Sequence, residues 1–192
     1  MKSISLLVSL LILMGGVIRP AKAQVPYLRI YSSDKYDRSC ITCPPLNTLV
    51  HLYVVLEGWT EPFSAIDFTI DYGEGLYWAW DDLAYPDGTV TIGYSPTGIA
   101  IAWGTCCLPD PSSGETLVLK PVVLGTPWCV PNTPVKVKGY GYGTPAIEKP
   151  YPTVVRYPDL TEVSVYGLDS YICPPIAVEP TTWGAVKALY RR

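Results

Sequence analysis

Six carboxylates crowd the stretch from Asp67 to Asp87: Asp67, Asp71, Glu74, Asp81, Asp82 and Asp87. Two such groups at a suitable separation are all that glycoside hydrolysis requires, one as acid and the other as nucleophile or base. The same hard oxygens can hold Ca²⁺, and a solvated acidic face with turn-forming aspartates needs neither chemistry. Aromatic rings lie among these acids at Tyr77, Trp78, Trp80 and Tyr85, in a chain with 15 Tyr and 6 Trp against only 2 Phe. Tyr and Trp have an apolar body and a polar tip, which suits half-wet surfaces better than dry cores. Flat rings beside carboxylates are the groups a sugar-binding surface uses. Tyr77, Trp78, Trp80, Asp81, Asp82 and Tyr85 therefore form the candidate ligand-binding set. Strict alternation puts Leu76, Trp78 and Trp80 on one face and leaves Tyr77 outside.

Nucleophilic catalysis has less to work with. His51 is the only histidine, and it sits inside an apolar strand pattern where a hydrogen-bonded structural role outweighs that of a general base. No Gly-x-Ser-x-Gly elbow accompanies it. The six cysteines, Cys40, Cys43, Cys106, Cys107, Cys129 and Cys173, read first as disulfides, with fifteen complete pairings open. Local geometry favours a bridge from Cys106 or Cys107 to Cys129, which would staple two strand ends. The other member of that pair, Cys40, Cys43 and Cys173 would share the remaining bonds. Cys40 to Cys43 has redox-pair spacing, but no strand-helix-strand pattern surrounds it, and a zinc site is disfavoured by Pro44-Pro45 and the single histidine. No metal or cofactor is expected.

The elements that must position these groups have the period of strands. The clearest is Gly88 to Cys107. Val90, Ile92 and Tyr94 alternate with smaller residues, Ile99, Ile101 and Trp103 alternate with Ala100 and Ala102, and Ser95-Pro96-Thr97-Gly98 makes the turn of a hairpin. Tyr27 to Tyr31 reads as an edge strand, Ser32 to Thr48 as a loop, and Leu49 to Glu57 as a central strand. Ser64 to Tyr72 puts Ile66, Phe68, Ile70 and Tyr72 in the core and an acidic ladder outside. Leu76 to Trp80, Glu115 to Leu124, Pro134 to Tyr140 and Thr161 to Tyr166 complete the strands, with a Gly/Tyr/Pro-rich excursion from Gly139 to Pro152. Pro121 lacks a ladder donor and points to an edge position or a bulge.

The two ends differ from this core. Residues 1–23 combine Lys2, an apolar run from Ile4 to Ile18 and Ala21-Lys22-Ala23, the pattern of a cleaved signal peptide. That run is shorter than the ~20 residues a membrane span needs. Loss of Lys2, Arg19 and Lys22 would leave 11 basic against 17 acidic side chains, a net charge of −6. This acidic balance argues against nucleic acid and anionic membrane surfaces as partners. Residues 24–178 are expected to form the domain. In the tail, 179–192, Thr181 or Thr182 can cap a short helix bearing Trp183, Val186, Lys187 and Tyr190 at spacings of three or four, followed by Arg191 and Arg192. Trp183, Lys187, Tyr190 and Arg191 are its candidate docking residues.

Trp183 to Arg191 resembles the terminal motif shared by many short exported proteins of environmental bacteria, and Val90 to Ala102 resembles their hairpin. That resemblance implies a bacterial exported protein and carries no activity with it. Leu52 to Tyr72, followed by an exposed loop and a Gly-led hairpin, is similar in strand order to cohesin-like and carbohydrate-binding sandwiches. The expectation is an all-β, two-sheet antiparallel β-sandwich, Ig-like or cohesin-like, with a short C-terminal helix or tail. It would be exported to the periplasm, cell surface or medium. Three function classes follow: a non-enzymatic module for surface interaction, adhesion or assembly; a carbohydrate-binding module; and a carboxylate-dependent glycoside hydrolase. The expected partner is a glycan or another surface protein.

Overall fold

The computed structural model describes residues 25–104, 114–141 and 149–173. The proposed signal peptide, the tail with Trp183, Lys187, Tyr190 and Arg191, and both Cys106 and Cys107 lie outside the described residues. Fourteen strands and no helix form the described part: β1 (Tyr27–Tyr31), β2 (Cys40–Thr42), β3 (Leu49–His51), β4 (Tyr53–Glu57), β5 (Phe63–Asp71), β6 (Leu76–Leu83), β7 (Thr89–Tyr94), β8 (Gly98–Trp103), β9 (Glu115–Gly125), β10 (Pro134–Lys138), β11 (Thr153–Arg156), β12 (Glu162–Ser164), β13 (Tyr166–Gly167) and β14 (Ser170–Cys173).

They make two sheets. In the first, the order is β13-β1-β4-β9, with β3 continuing the line of β4 along β9 and β6 on the opposite edge of β9. In the second, β5 is flanked by β8 and β7 on one side and by β11 and β12 on the other. The C-terminal end of β5 pairs with β10, which carries β14 and β2. Pairing is antiparallel except at β1–β13 and β14–β2.

Alternation decides which side chains meet between the sheets. Leu28, Ile30, Leu52, Val54, Leu56 and Val123 from the first sheet pack with Phe63, Ile66, Phe68, Ile70, Ile99, Ile101, Val135, Val137 and Ile172 from the second, all buried in one cluster. Each fully buried side chain of this kind contributes roughly 1.5–3 kcal/mol. Phe63 meets Trp103 edge-on, with ring centroids 5.3 Å apart, closing the end of the core beneath the hairpin.

Several boundaries differ from the sequence reading for identifiable reasons. Leu49 to Glu57 is two strands, broken at Leu52, whose N–H donates to the Pro121 carbonyl (2.8 Å). Pro121 thus sits in a central strand and not at an edge, and its missing donor falls beside an interruption in the ladder. Tyr27–Tyr31 is not an edge strand, because β13 pairs along its outer side. The stretch from Ser32 to Thr48 is not wholly a loop: Cys40–Thr42 pairs with Ser170–Cys173, a strand beyond the last one expected. β11 also follows the Gly139 to Pro152 excursion unannounced.

The disulfides correct the expected pairing. Cys129 is bonded to Cys43, not to Cys106 or Cys107, and Cys40 is bonded to Cys173, with Cα separations of 5.9 and 5.6 Å. The bond to Cys173 locks the parallel β14–β2 pair, and the bond to Cys129 ties the chain before β3 to the loop after β9. Peptides from unreduced protein should therefore link Cys40 to Cys173 and Cys43 to Cys129 by mass spectrometry. Removing either bridge should cost about 2–5 kcal/mol in chemical denaturation. A Cys129 peptide linked to Cys106 or Cys107 would contradict the fold as described.

Candidate functional site

β6 carries most of the candidate set, and a bulge divides it. Trp78 stands opposite Val123 and Trp80 opposite Val122, so Ala79 is an extra residue against β9. The inserted residue resets the alternation. Trp80 consequently turns outward with Tyr77, and the two are 44% and 65% exposed, while Leu76 is buried and Trp78 packs against the core. The expectation that Trp80 shares the inner face with Leu76 and Trp78 is thereby corrected. After the bulge, Asp81 turns toward the second sheet and Asp82 away from it. Tyr85 packs against the core edge, where burial raises its phenol pKa. The six candidates do not form one surface.

Asp81 is a structural acceptor. Its Oδ2 takes the Ser95 backbone N–H at 2.8 Å, and its Oδ1 takes the Ser95 hydroxyl at 2.6 Å and the Trp78 indole N–H at 3.0 Å. Ser95, fully buried, also meets the Tyr72 hydroxyl at 2.7 Å, and its carbonyl accepts from the Ile70 N–H at 2.7 Å. The carboxylate therefore fastens the β7–β8 turn to β6 across the seam between the sheets. Burial first, and then the Asp81 charge, hold the Tyr72 phenol well above its ordinary range.

Outside, Asp82 accepts from the Trp80 indole N–H at 3.1 Å and lies 3.1 Å from His51 Nε2. The histidine is hydrogen-bonded, as expected, but it lies on the exposed outer face of the first sheet. Asp67 is bound to Lys149 and Asp71 to Lys138, each at 2.8 Å. The acids clustered in sequence are thus spread over separate faces, because neighbouring strand residues point in opposite directions.

The surface that sequence reasoning missed lies on the second sheet. Val90, Ala102 and Ala65 form one row across β7, β8 and β5, and Ile92, Ala100 and Asp67 form the next. Since Ile99, Ile101 and Trp103 occupy the inner face of β8, this register turns Val90 and Ile92 outward, where they are 62% and 65% exposed. β7 pairs only with β8 among the described residues, which leaves its other edge open. Gly93 lies within the strand at φ +82°, and a Cβ there would strike the Gly98 carbonyl oxygen. Across the alanine floor, Tyr140 and Lys149 form an opposite bank. A trough of about 360 Å³ lies there, lined by Asp67, Ala100, Tyr140 and Lys149. Asp67 Oδ1 is buried there without a hydrogen-bond partner. The signal that could have revealed this face was the hairpin register itself, which sets large apolar residues opposite alanines.

No protein-family model and no curated protein sequence matches the chain. Among solved structures it is similar to the cohesin module of a family 33 glycoside hydrolase from Clostridium perfringens. That match has 9% identity and a TM-score of 0.52, over 79% of this chain and 97% of that one. It is also similar to the sixth cohesin of scaffoldin B from Acetivibrio cellulolyticus, solved in complex with a Cel5 dockerin, at 13% identity and a TM-score of 0.51 over 78% and 99% of the two chains. A type I cohesin from Pseudobacteroides cellulosolvens matches at 8% identity and a TM-score of 0.50, over 81% and 96%. At these identities the likeness is one of fold, a cohesin-like β-sandwich.

The two adjacent aspartates should separate sharply in stability. Asp81→Ala strands the buried Ser95 donors and should cost about 2–4 kcal/mol in chemical denaturation, whereas Asp82→Ala, at an exposed pair, should cost under about 1 kcal/mol. Equal losses would contradict the assignment of Asp81 to the seam. Stability should also fall as pH rises past 10.0, the ordinary tyrosine value. There the unfolded chain releases phenol protons that the folded chain retains at Tyr72, and at Tyr31, which burial and the Glu57 carboxylate push up to about 12. Denaturation midpoints measured on either side of that pH, with Tyr72→Phe flattening the decline, check the sign.

Proposed function

We propose that the protein is an exported, non-catalytic β-sandwich module that docks another protein on the outer face of its second sheet. The observation that carries this reading is the pair Val90 and Ile92, exposed on an edge strand beside the alanine floor of β8 and β5. An apolar edge strand left bare invites uncontrolled strand pairing, so proteins ordinarily shorten, charge or cover it. β7 is six residues long and carries no charged side chain. A partner that covers it gains apolar burial from Val90 and Ile92.

Two further observations support the reading. The Acetivibrio cohesin that shares this fold is held in a complex with a dockerin, another protein. The two disulfides suit an oxidising compartment, in keeping with the signal-like N-terminal segment. The hydrolase alternative loses its basis in the Asp81–Asp82 pair, since those acids face opposite sides of β6 and one is consumed by the Ser95 clamp. A glycan surface made of all six candidates is likewise divided by the bulge at Ala79.

A photo-crosslinking residue placed at Ala102 should capture one distinct exported protein in the producing cells. Adding Ile92→Glu should abolish that capture, and the same probe at Tyr157 should capture nothing comparable. No adduct at Ala102, an adduct unaffected by Ile92→Glu, or an adduct of only twice the chain's own mass would contradict the proposal.

A further inference from the structure

A second site opens at the other end of the β7–β8 turn. A cleft of about 540 Å³ lies where the end of β5, the start of β6 and the hairpin turn converge, and Thr69, Asp71, Tyr77, Trp78, Pro96 and Lys138 line it. That volume lies within the range of small-molecule sites, ~300–1,000 Å³. Two of its walls are aromatic. Tyr77 is exposed at the rim, and Trp78 is held by its indole N–H on Asp81 and by the Tyr94 ring, whose centroid is 5.5 Å away. A ring fixed on two sides loses little conformational entropy when a ligand lies against it.

The polar groups of the cleft are equally specific. Thr69 is only 3% exposed, and its hydroxyl has no hydrogen-bond partner. A buried hydroxyl left unsatisfied is costly, and Thr69 is one of the residues that line the cleft. Asp71 Oδ1 accepts the Gly73 N–H at 3.1 Å and Oδ2 accepts Lys138 Nζ at 2.8 Å. Each carboxylate oxygen keeps a further lone pair for an incoming donor. The ammonium of Lys138 balances the carboxylate, so this pair brings no net charge to the cleft and gives no advantage to a charged ligand.

We propose that this cleft binds a neutral pyranose unit of a glycan, stacked on Tyr77 and Trp78 and hydrogen-bonded by Thr69 and Asp71. Aromatic rings meet the C–H face of a sugar, while a hydroxyl and a lone-pair-bearing carboxylate serve its hydroxyl groups. The site stands independently of the protein-docking face. Val90 and Ile92 lie on the outer face of β7 and are not among the residues that line the cleft.

Calorimetric titration of the domain with cellohexaose, xylohexaose, mannohexaose and N-acetylchitohexaose tests the proposal, with oligogalacturonate as the charged comparison. At least one neutral sugar should saturate the protein below about 10 mM. Tyr77→Ala should weaken that binding about tenfold, Thr69→Val should weaken it measurably, and Ile92→Glu should leave it unchanged. Circular dichroism should show the strand spectrum intact in all three variants. The proposal is overturned by failure of every neutral sugar to bind, by binding of oligogalacturonate alone, or by binding that survives Tyr77→Ala. Loss of sugar binding on Ile92→Glu would overturn the independence of the two sites.

Discussion

The Asp81 carboxylate at the seam between the sheets is the interaction on which both surfaces depend. It faces a buried serine that offers two donors, a backbone N–H and a hydroxyl, and it accepts both while also holding the Trp78 indole. Hydrogen bonds to a carboxylate are stronger than those between neutral groups, and three of them converge on this one side chain. Ser95 in turn holds Ile70 through its carbonyl and Tyr72 through its hydroxyl. The β7–β8 hairpin is thereby fixed at its turn, and its outer face and the cleft beneath that turn inherit the same anchor.

Around this clamp the division between inside and outside follows from single residues. On β6 the extra Ala79 sends Trp80 outward and leaves Trp78 inward, which turns a run of apparently equivalent aromatics into one surface ring and one cleft wall. On the hairpin the register does similar work, setting Ile99, Ile101 and Trp103 in the core and Val90 and Ile92 outside. Elsewhere the outer face of the first sheet is covered by tyrosines. Tyr27 and Tyr31 donate to Glu57, and Tyr36 packs between Tyr31 and Tyr53. The abundance of tyrosine thus has a structural use over β1 and β4 as well as a surface one at Tyr77.

The sandwich itself was legible because its long strands alternate cleanly. Ile66, Phe68 and Ile70 point inward as read, and the Ser95 to Gly98 turn closes the hairpin where its Pro and Gly place it. What escaped the sequence was determined by partners distant along the chain. Cys40–Thr42 becomes a strand only because Ser170–Cys173 arrives beside it, and the Cys40–Cys173 bond spans a separation of 133 residues. No local pattern encodes that approach. Within Leu76 to Asp82 nothing marks Ala79 as the bulged residue, so the acids and rings that look like one site in sequence separate into a clamp, a surface pair and a cleft. The exposed apolar face was missed for another reason: alternation identifies a strand but does not say which of its faces another layer will cover.

The most direct measurement of the central claim is hydrogen–deuterium exchange of the domain, alone and with the protein captured at its surface. Added protection should concentrate in β7 and β8, residues 89–103, with β6 and the outer face of the first sheet unchanged. Protection confined to Leu76–Leu83 or to β1 and β4, with β7 exchanging as freely as in the isolated domain, would contradict it.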